Sequence, residues 1–166
     1  LMDGVSSNKK QTKMLDVITI KGSDDMAIQL ASCCHPIPGD PILGYINKEK
    51  GLVIHTHDCQ IVNELSLDHD RWVDVEWEPD SEKLFNVRLS VLVVNERGML
   101  GKIASVIADT ESNIDNVSLQ DMDGSPFATL NFLVQVRHRQ HLAELIRNLR
   151  KITKVNKITR VKNYKS

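Results

Sequence analysis

A chain of 166 residues with 41% apolar and 26% charged side chains is long enough for two small domains with cores of their own, and its composition is that of a soluble globular protein. No apolar run approaches the roughly 20 residues a membrane helix needs, and Leu1–Lys13 holds no hydrophobic stretch that reads as a secretion signal. A net charge of −1 excludes a global field toward nucleic acid or membrane, and three cysteines, two of them adjacent, exclude a disulfide framework, so the expected setting is the reducing cytoplasm.

In chain order, residues 1–13 are polar and read as linker, which suits a piece of something longer. A first module is expected over 14–78. It opens on a short apolar strand, Val17–Ile20. Ser23 or Asp24 then caps a helix bearing Met26, Ala27, Ile28, Leu30 and Ala31. Pro36–Pro41 excludes helix, since proline fixes φ and removes the backbone donor. Ile42–Ile46 and Leu52–His55 flank Asn47–Gly51 as a hairpin. Asp58 is placed to cap a short helix with Ile61, Val62 and Leu65, and Trp72–Trp77 alternates as one amphipathic strand.

Residues 79–83 lack any hydrophobic period and read as a second linker, before a domain over 84–166. Phe85, Val87, Leu89, Val91 and Val93 alternate as a strand. Asn95–Gly98 turns the chain, and Leu100, Ile103, Ala104, Ile107 and Ala108 form one helical stripe. Asn113–Asp121 is a weak strand, a turn at Asp123–Pro126 follows, and Ala128–Val136 alternates again. Leu142, Leu145, Ile146, Leu149 and Ile152 stripe a second helix. Val155, Ile158 and Val161 are spaced by three, which predicts a bulged last strand. The fold class is therefore α+β: a βαββαβ unit with two helices on one face of an antiparallel sheet, and before it a smaller α+β module that can be read in the same order.

Ser32-Cys33-Cys34-His35-Pro36 is answered by His55-Thr56-His57-Asp58-Cys59. Sulfur with imidazole is the ligand set of tetrahedral zinc. His55 and Cys59 are four apart, the first cluster can add a second sulfur, and His35 or His57 a fourth ligand; the structural alternative is small buried thiols in a tight turn. A Cys–His nucleophile pair needs a base and oxyanion donors that spacing does not supply. No phosphate loop, dinucleotide fingerprint, HExxH or GxSxG is present, so no catalytic centre is expected in these residues. At the Asn95–Leu100 turn, Gly98 permits close backbone approach, and free N–H groups at the helix start can hold a carboxylate. An acidic belt from Asp68 to Glu82 and a basic set from Arg137 to Lys165 read as solvated faces, the latter also as a candidate RNA-facing surface.

Leu30–Asp40, Ile42–Tyr45 and His55–Cys59 together closely resemble the conserved-cysteine module of RelA/SpoT homologues, also called the zinc-finger or ribosome-intersubunit domain. The strand, turn and helix around Asn95–Leu100, with Asn113-Ile114, resemble the ACT domain that follows it, so that the resemblance spans about residues 15–162. It implies the regulatory C-terminal part of an enzyme that makes or degrades guanosine tetra- and pentaphosphate, whose catalytic domains are absent from this sequence. By that resemblance Cys33, Cys34, His55 and Cys59 are candidate ligands of zinc, the only cofactor implied. Asn95, Arg97, Gly98, Met99, Leu100, Asn113 and Ile114 are candidate contacts for a branched-chain amino acid. The partners implied are the parent's catalytic domains, a second copy joined through the ACT domain, and the ribosome or tRNA, with no membrane.

Overall fold

A computed structural model describes residues 18–20, 27–65, 69–78, 82–121 and 124–163. The expected linker over 1–13 and the cap at Ser23 or Asp24 lie outside these residues. No helix among the described residues is long and apolar enough to cross a membrane.

The first module holds strands β1 (Ile18–Ile20), β2 (Ile28–Leu30), β3 (Ile42–Asn47) and β4 (Gly51–Thr56), helix α1 (Gln60–Glu64), and strands β5 (Trp72–Val73) and β6 (Val75–Trp77). The expected hairpin is β3–β4. The Asn47 carboxamide oxygen accepts the N–H groups of Glu49 and Lys50 at 2.8 and 3.1 Å. Gly51 has φ +83°, and a Cβ there would lie 2.5 Å from the Ala27 carbonyl oxygen, so no side chain fits.

Four expectations for this module are corrected. Ile28–Leu30 is strand where helix was expected, because parallel pairing with β4 engages its backbone and its burial alternates. Trp72–Trp77 is two strands in two sheets: β5 pairs with β3, and past Asp74 β6 pairs with β1. Helix α1 is capped by Cys59 with no side-chain bond, while Asp58 faces Lys162 at 2.9 Å instead. The four-stranded sheet runs β2-β4-β3-β5, a mixed sheet that does not repeat the βαββαβ order of the second unit.

That second unit is β7 (Phe85–Val94), α2 (Met99–Asp109), β8 (Asn113–Asp121), β9 (Phe127–Val136), α3 (Arg139–Arg150) and β10 (Val155–Val161), with sheet order β10-β7-β9-β8. Every neighbour is antiparallel, and β10 shifts register between Val155 and Lys157, the predicted bulge. Alternate residues of β7 and β9 are buried against Ile103 and Ile107 of α2 and Leu142, Leu145 and Leu149 of α3. The buried stripe of α2 is turned slightly from expectation: Met99 is in, and Leu100 is 46% exposed. His141 is buried. Its Nδ1 accepts the Arg137 N–H at 3.0 Å, so Nε2 carries the proton and donates to the Thr110 carbonyl at 2.7 Å, tying α3 to the end of α2.

The two units share one apolar core, in which Ile37, Ile42 and Val75 join Phe85 and Val87. Trp77 meets Phe85 edge-on at 5.5 Å, and its indole N–H donates to the Asp40 carbonyl at 3.0 Å. At the centre of the junction the buried Asp40 carboxylate accepts both terminal nitrogens of Arg160, at 2.9 and 2.6 Å, and the Ile37 N–H at 2.9 Å. Arg160 also donates to the His35 carbonyl, and the Arg139 N–H to that of Pro38. Removing one member of a buried pair strands the other's charge. Asp40→Asn should therefore cost roughly 3 kcal/mol in denaturant unfolding. The double variant Asp40→Asn/Arg160→Met should recover a large part of that loss. Equal destabilisation of single and double variants would show that the pair is not what holds the junction.

Candidate functional site

Cys33 and Cys34 lie on one turn closed by the His35 N–H to the Ala31 carbonyl at 2.9 Å, and His35 leaves it in the left-handed region at φ +46°. His55 is the penultimate residue of β4, and Cys59 is the N-cap of α1, three residues after the strand stops. The four donor atoms of Cys33, Cys34, His55 and Cys59 lie within 4.8 Å of one another. His35 and His57 are not in the group, since His57 is exposed with Nε2 3.0 Å from the Ile42 carbonyl oxygen.

The spacing tests the fit to zinc. Tetrahedral geometry with Zn–S near 2.3 Å and Zn–N near 2.05 Å puts sulfurs about 3.8 Å apart and sulfur from nitrogen about 3.6 Å. Here Cys33 Sγ lies 3.6 Å from Cys59 Sγ and 4.0 Å from Cys34 Sγ. His55 Nδ1 lies 3.5 Å from Cys33 Sγ and 3.9 Å from Cys34 Sγ. These four of the six edges are close to those of a closed tetrahedral site, and the other two are no longer than 4.8 Å.

Without an ion the thiols are unequal. The hydrogen bond between Cys33 and Cys34 holds Cys33 below the ordinary thiol range; the same bond, then burial, pushes Cys34 up to about 12; and burial raises Cys59. Zinc must therefore displace protons from at least Cys34 and Cys59, so affinity falls with acidification, on the order of a hundredfold per pH unit near neutrality. Protein purified without chelator should carry about one equivalent of zinc, and Cys59→Ser should lose it. Metal analysis at several pH values checks both, and a pH-independent affinity would count against thiolate ligation.

The second expected site is the turn before α2. Gly98 has φ +87°, with nothing within 4 Å of where a Cβ would lie, so the turn needs glycine for its backbone while leaving open space beside it. Helix α2 starts with no side-chain cap. A pocket of about 260 Å³ lies here, with Asn95, Gly98, Met99 and Leu100 on one wall and Val117 and Leu119 of β8 on the other. Arg97 is exposed and does not line it. Asn113 and Ile114 sit at the far end of β8, about 20 Å along the strand from Leu119, so one chain does not bring them to the pocket. Val117 and Leu119 had no expected role. They face the helix side, but β8 is an edge strand and leaves them 39% and 59% exposed. Alternation alone reads such residues as core.

Residues 18–78 match the family model of the RelA/SpoT RIS domain, and residues 81–160 that of the ACT domain. The chain is 33% identical over 149 residues to the bifunctional (p)ppGpp synthase/hydrolase SpoT of Escherichia coli (strain K12), covering 90% of this chain and 21% of that protein. It is 31% identical over 130 residues to the GTP pyrophosphokinase of Streptomyces coelicolor, covering 78% and 15%. The chain thus spans about a fifth of the length of the curated relatives it matches. Among solved structures, the ACT domain from the GTP pyrophosphokinase of Chlorobium tepidum is 26% identical, with a TM-score of 0.41, over 47% of this chain and 99% of that one.

Proposed function

The chain belongs to the RelA/SpoT family, as the regulatory region that carries the RIS and ACT domains, and on that premise we propose that it senses a small aliphatic amino acid and relays its presence to alarmone synthetase or hydrolase domains of a cytoplasmic parent protein. The observation that carries this reading is the pocket between the uncapped start of α2 and the exposed Val117 and Leu119. Its chemistry fits an amino acid at both ends. Backbone N–H groups at a helix start favour a carboxylate by about 0.3–1 kcal/mol, and Met99, Leu100, Val117 and Leu119 offer an aliphatic wall.

That carboxylate contribution alone is small, and the aliphatic wall is open. A second copy approaching the exposed β8 edge would cover it and supply Asn113 and Ile114 from its own strand, so a homodimer is part of the reading. Zinc at Cys33, Cys34, His55 and Cys59 would fix the first module rather than react, because four protein donors leave no open position. Titration calorimetry with valine, isoleucine and leucine should give a dissociation constant between about a micromolar and a millimolar. Leu119→Asp should abolish the heat without unfolding the chain, since Leu119 is 59% exposed. Gly98→Val should lose stability as well as binding, because of its positive φ. No heat with any of the three amino acids would sink the sensing claim.

A second reading, contact with ribosomal RNA or tRNA, has one observation in its favour: Arg147, Arg150 and Lys151 are exposed together on the outer face of α3. Five cations of the expected basic set are paired elsewhere: Arg137 with Glu111, Lys154 with Glu96, Lys162 with Asp58, and Arg139 and the buried Arg160 both with Asp40. Phe85 and Phe132 are buried, and Phe127, 37% exposed at the start of β9, is the one remaining phenylalanine, so base stacking would rest on a single ring and contact would be mainly to phosphates. Binding to ribosomes should then weaken steeply with salt and fall in Arg150→Glu/Lys151→Glu. Filter binding insensitive to both would reject this face.

A further inference from the structure

The four candidate ligands are not equally reachable. A solvent-open cavity of about 400 Å³ is lined by Cys33 and His55, with Tyr45, Lys50, Val53 and Leu65 among its walls. Cys34 and Cys59 do not line it, and both are fully buried. A small oxidant entering from solvent meets the Cys33 sulfur first.

Behind Cys33 stand two sulfurs, and geometry chooses between them. Cys59 Sγ lies 3.6 Å away and Cys34 Sγ 4.0 Å. A disulfide also needs its Cα atoms about 4.4–6.8 Å apart, whereas neighbours across a trans peptide are held at about 3.8 Å, and no described peptide bond is cis. Cys34 is thereby disfavoured as the partner, since an adjacent pair closes a strained eight-membered ring, and Cys59, 26 residues on, is favoured.

We propose that Cys33 and Cys59 form a thiol switch inside the cluster, Cys33 the peroxide-facing sulfur and Cys59 the resolving one. The Cys33 sulfur attacks one oxygen of a hydroperoxide, the O–O bond breaks, and the other oxygen leaves with a proton; for hydrogen peroxide the leaving molecule is water and Cys33 becomes a sulfenic acid. The Cys59 sulfur then attacks the Cys33 sulfur, the S–O bond breaks, and hydroxide leaves with the Cys59 proton as a second water. Two thiols lose two hydrogens and the peroxide is reduced to two waters. The oxidised site keeps only Cys34 and His55 as free donors. The thiol chemistry needs no metal; only its consequence, release of zinc on oxidation, rests on the metal reading above.

The test uses the metal-stripped 166-residue chain and hydrogen peroxide, read by intact mass and peptide mapping. The expected product has lost two hydrogens, carries a Cys33–Cys59 bond and returns to dithiol with dithiothreitol. Cys34→Ser should still form it. Cys59→Ser should leave a Cys33 sulfenic acid that a cyclic 1,3-dione captures, and Cys33→Ser should slow thiol loss by about tenfold or more, since only buried thiols remain. A Cys33–Cys34 bond, an intermolecular bond as the main product, or unchanged oxidation in Cys33→Ser would each overturn the proposal. On zinc-loaded chain, peroxide should release the ion in step with the disulfide, and zinc that stays bound while the disulfide forms would overturn the coupling. Failure to load zinc at all would strike the metal reading and leave the thiol result standing.

Discussion

Asp40 is a carboxylate taken out of water, and much of the molecule is arranged around keeping it satisfied. Its oxygens accept Arg160 from the last strand and the Ile37 N–H from its own turn, while its backbone carbonyl takes the Trp77 indole. An unpaired charge at such depth costs several kcal/mol, so Ser32–Asp40 cannot leave the second unit without a large loss. The same stretch carries Cys33 and Cys34 at its other end. One turn is thus held at one end by sulfur chemistry and at the other by an ion pair. His35 lies between them, kept below the ordinary imidazole range by burial first and then by the Arg88 and Arg160 cations.

Strand β7 extends that arrangement across the second unit. Phe85, at its start, packs on Trp77 at the junction, and Val93 and Val94, at its end, line the pocket at the start of α2. Strand β9 runs back the other way, from Ala128 at the pocket to Val136 beside Phe85. Ten residues of strand span about 30 Å. Any influence of the pocket on the cysteine module has a continuous hydrogen-bonded sheet to travel through, with no hinge among the described residues of these two strands.

The second unit was legible because its elements are long and its periods clean. Ten alternating residues in β7 and again in β9 leave little room for another reading, and even the bulge before Lys157 showed as a break in the spacing. The first module was harder. Ile28–Leu30 carries too few residues for a period to declare itself, and it became strand through a partner 24 residues away. The four metal candidates converge as the motif implied, since Cys and His are rare and chemically distinctive. Nothing in the sequence marked Asp40 as buried or Arg160 as its partner, because an aspartate in a Pro/Gly turn and an arginine in a basic tail both read as solvated. Val117 and Leu119 were hidden for the converse reason: apolar residues on a strand read as core, and only sheet order reveals an edge.

The 120 residues between Asp40 and Arg160 also set a schedule for synthesis. A ribosome adds about 5–20 residues per second, so the Asp40 carboxylate emerges about 6–24 seconds before the guanidinium that neutralises it. Throughout that interval Asp40 is better hydrated than buried. The cysteine module is therefore assembled in full only when the last strand arrives, and its maturation waits on the far end of its own chain.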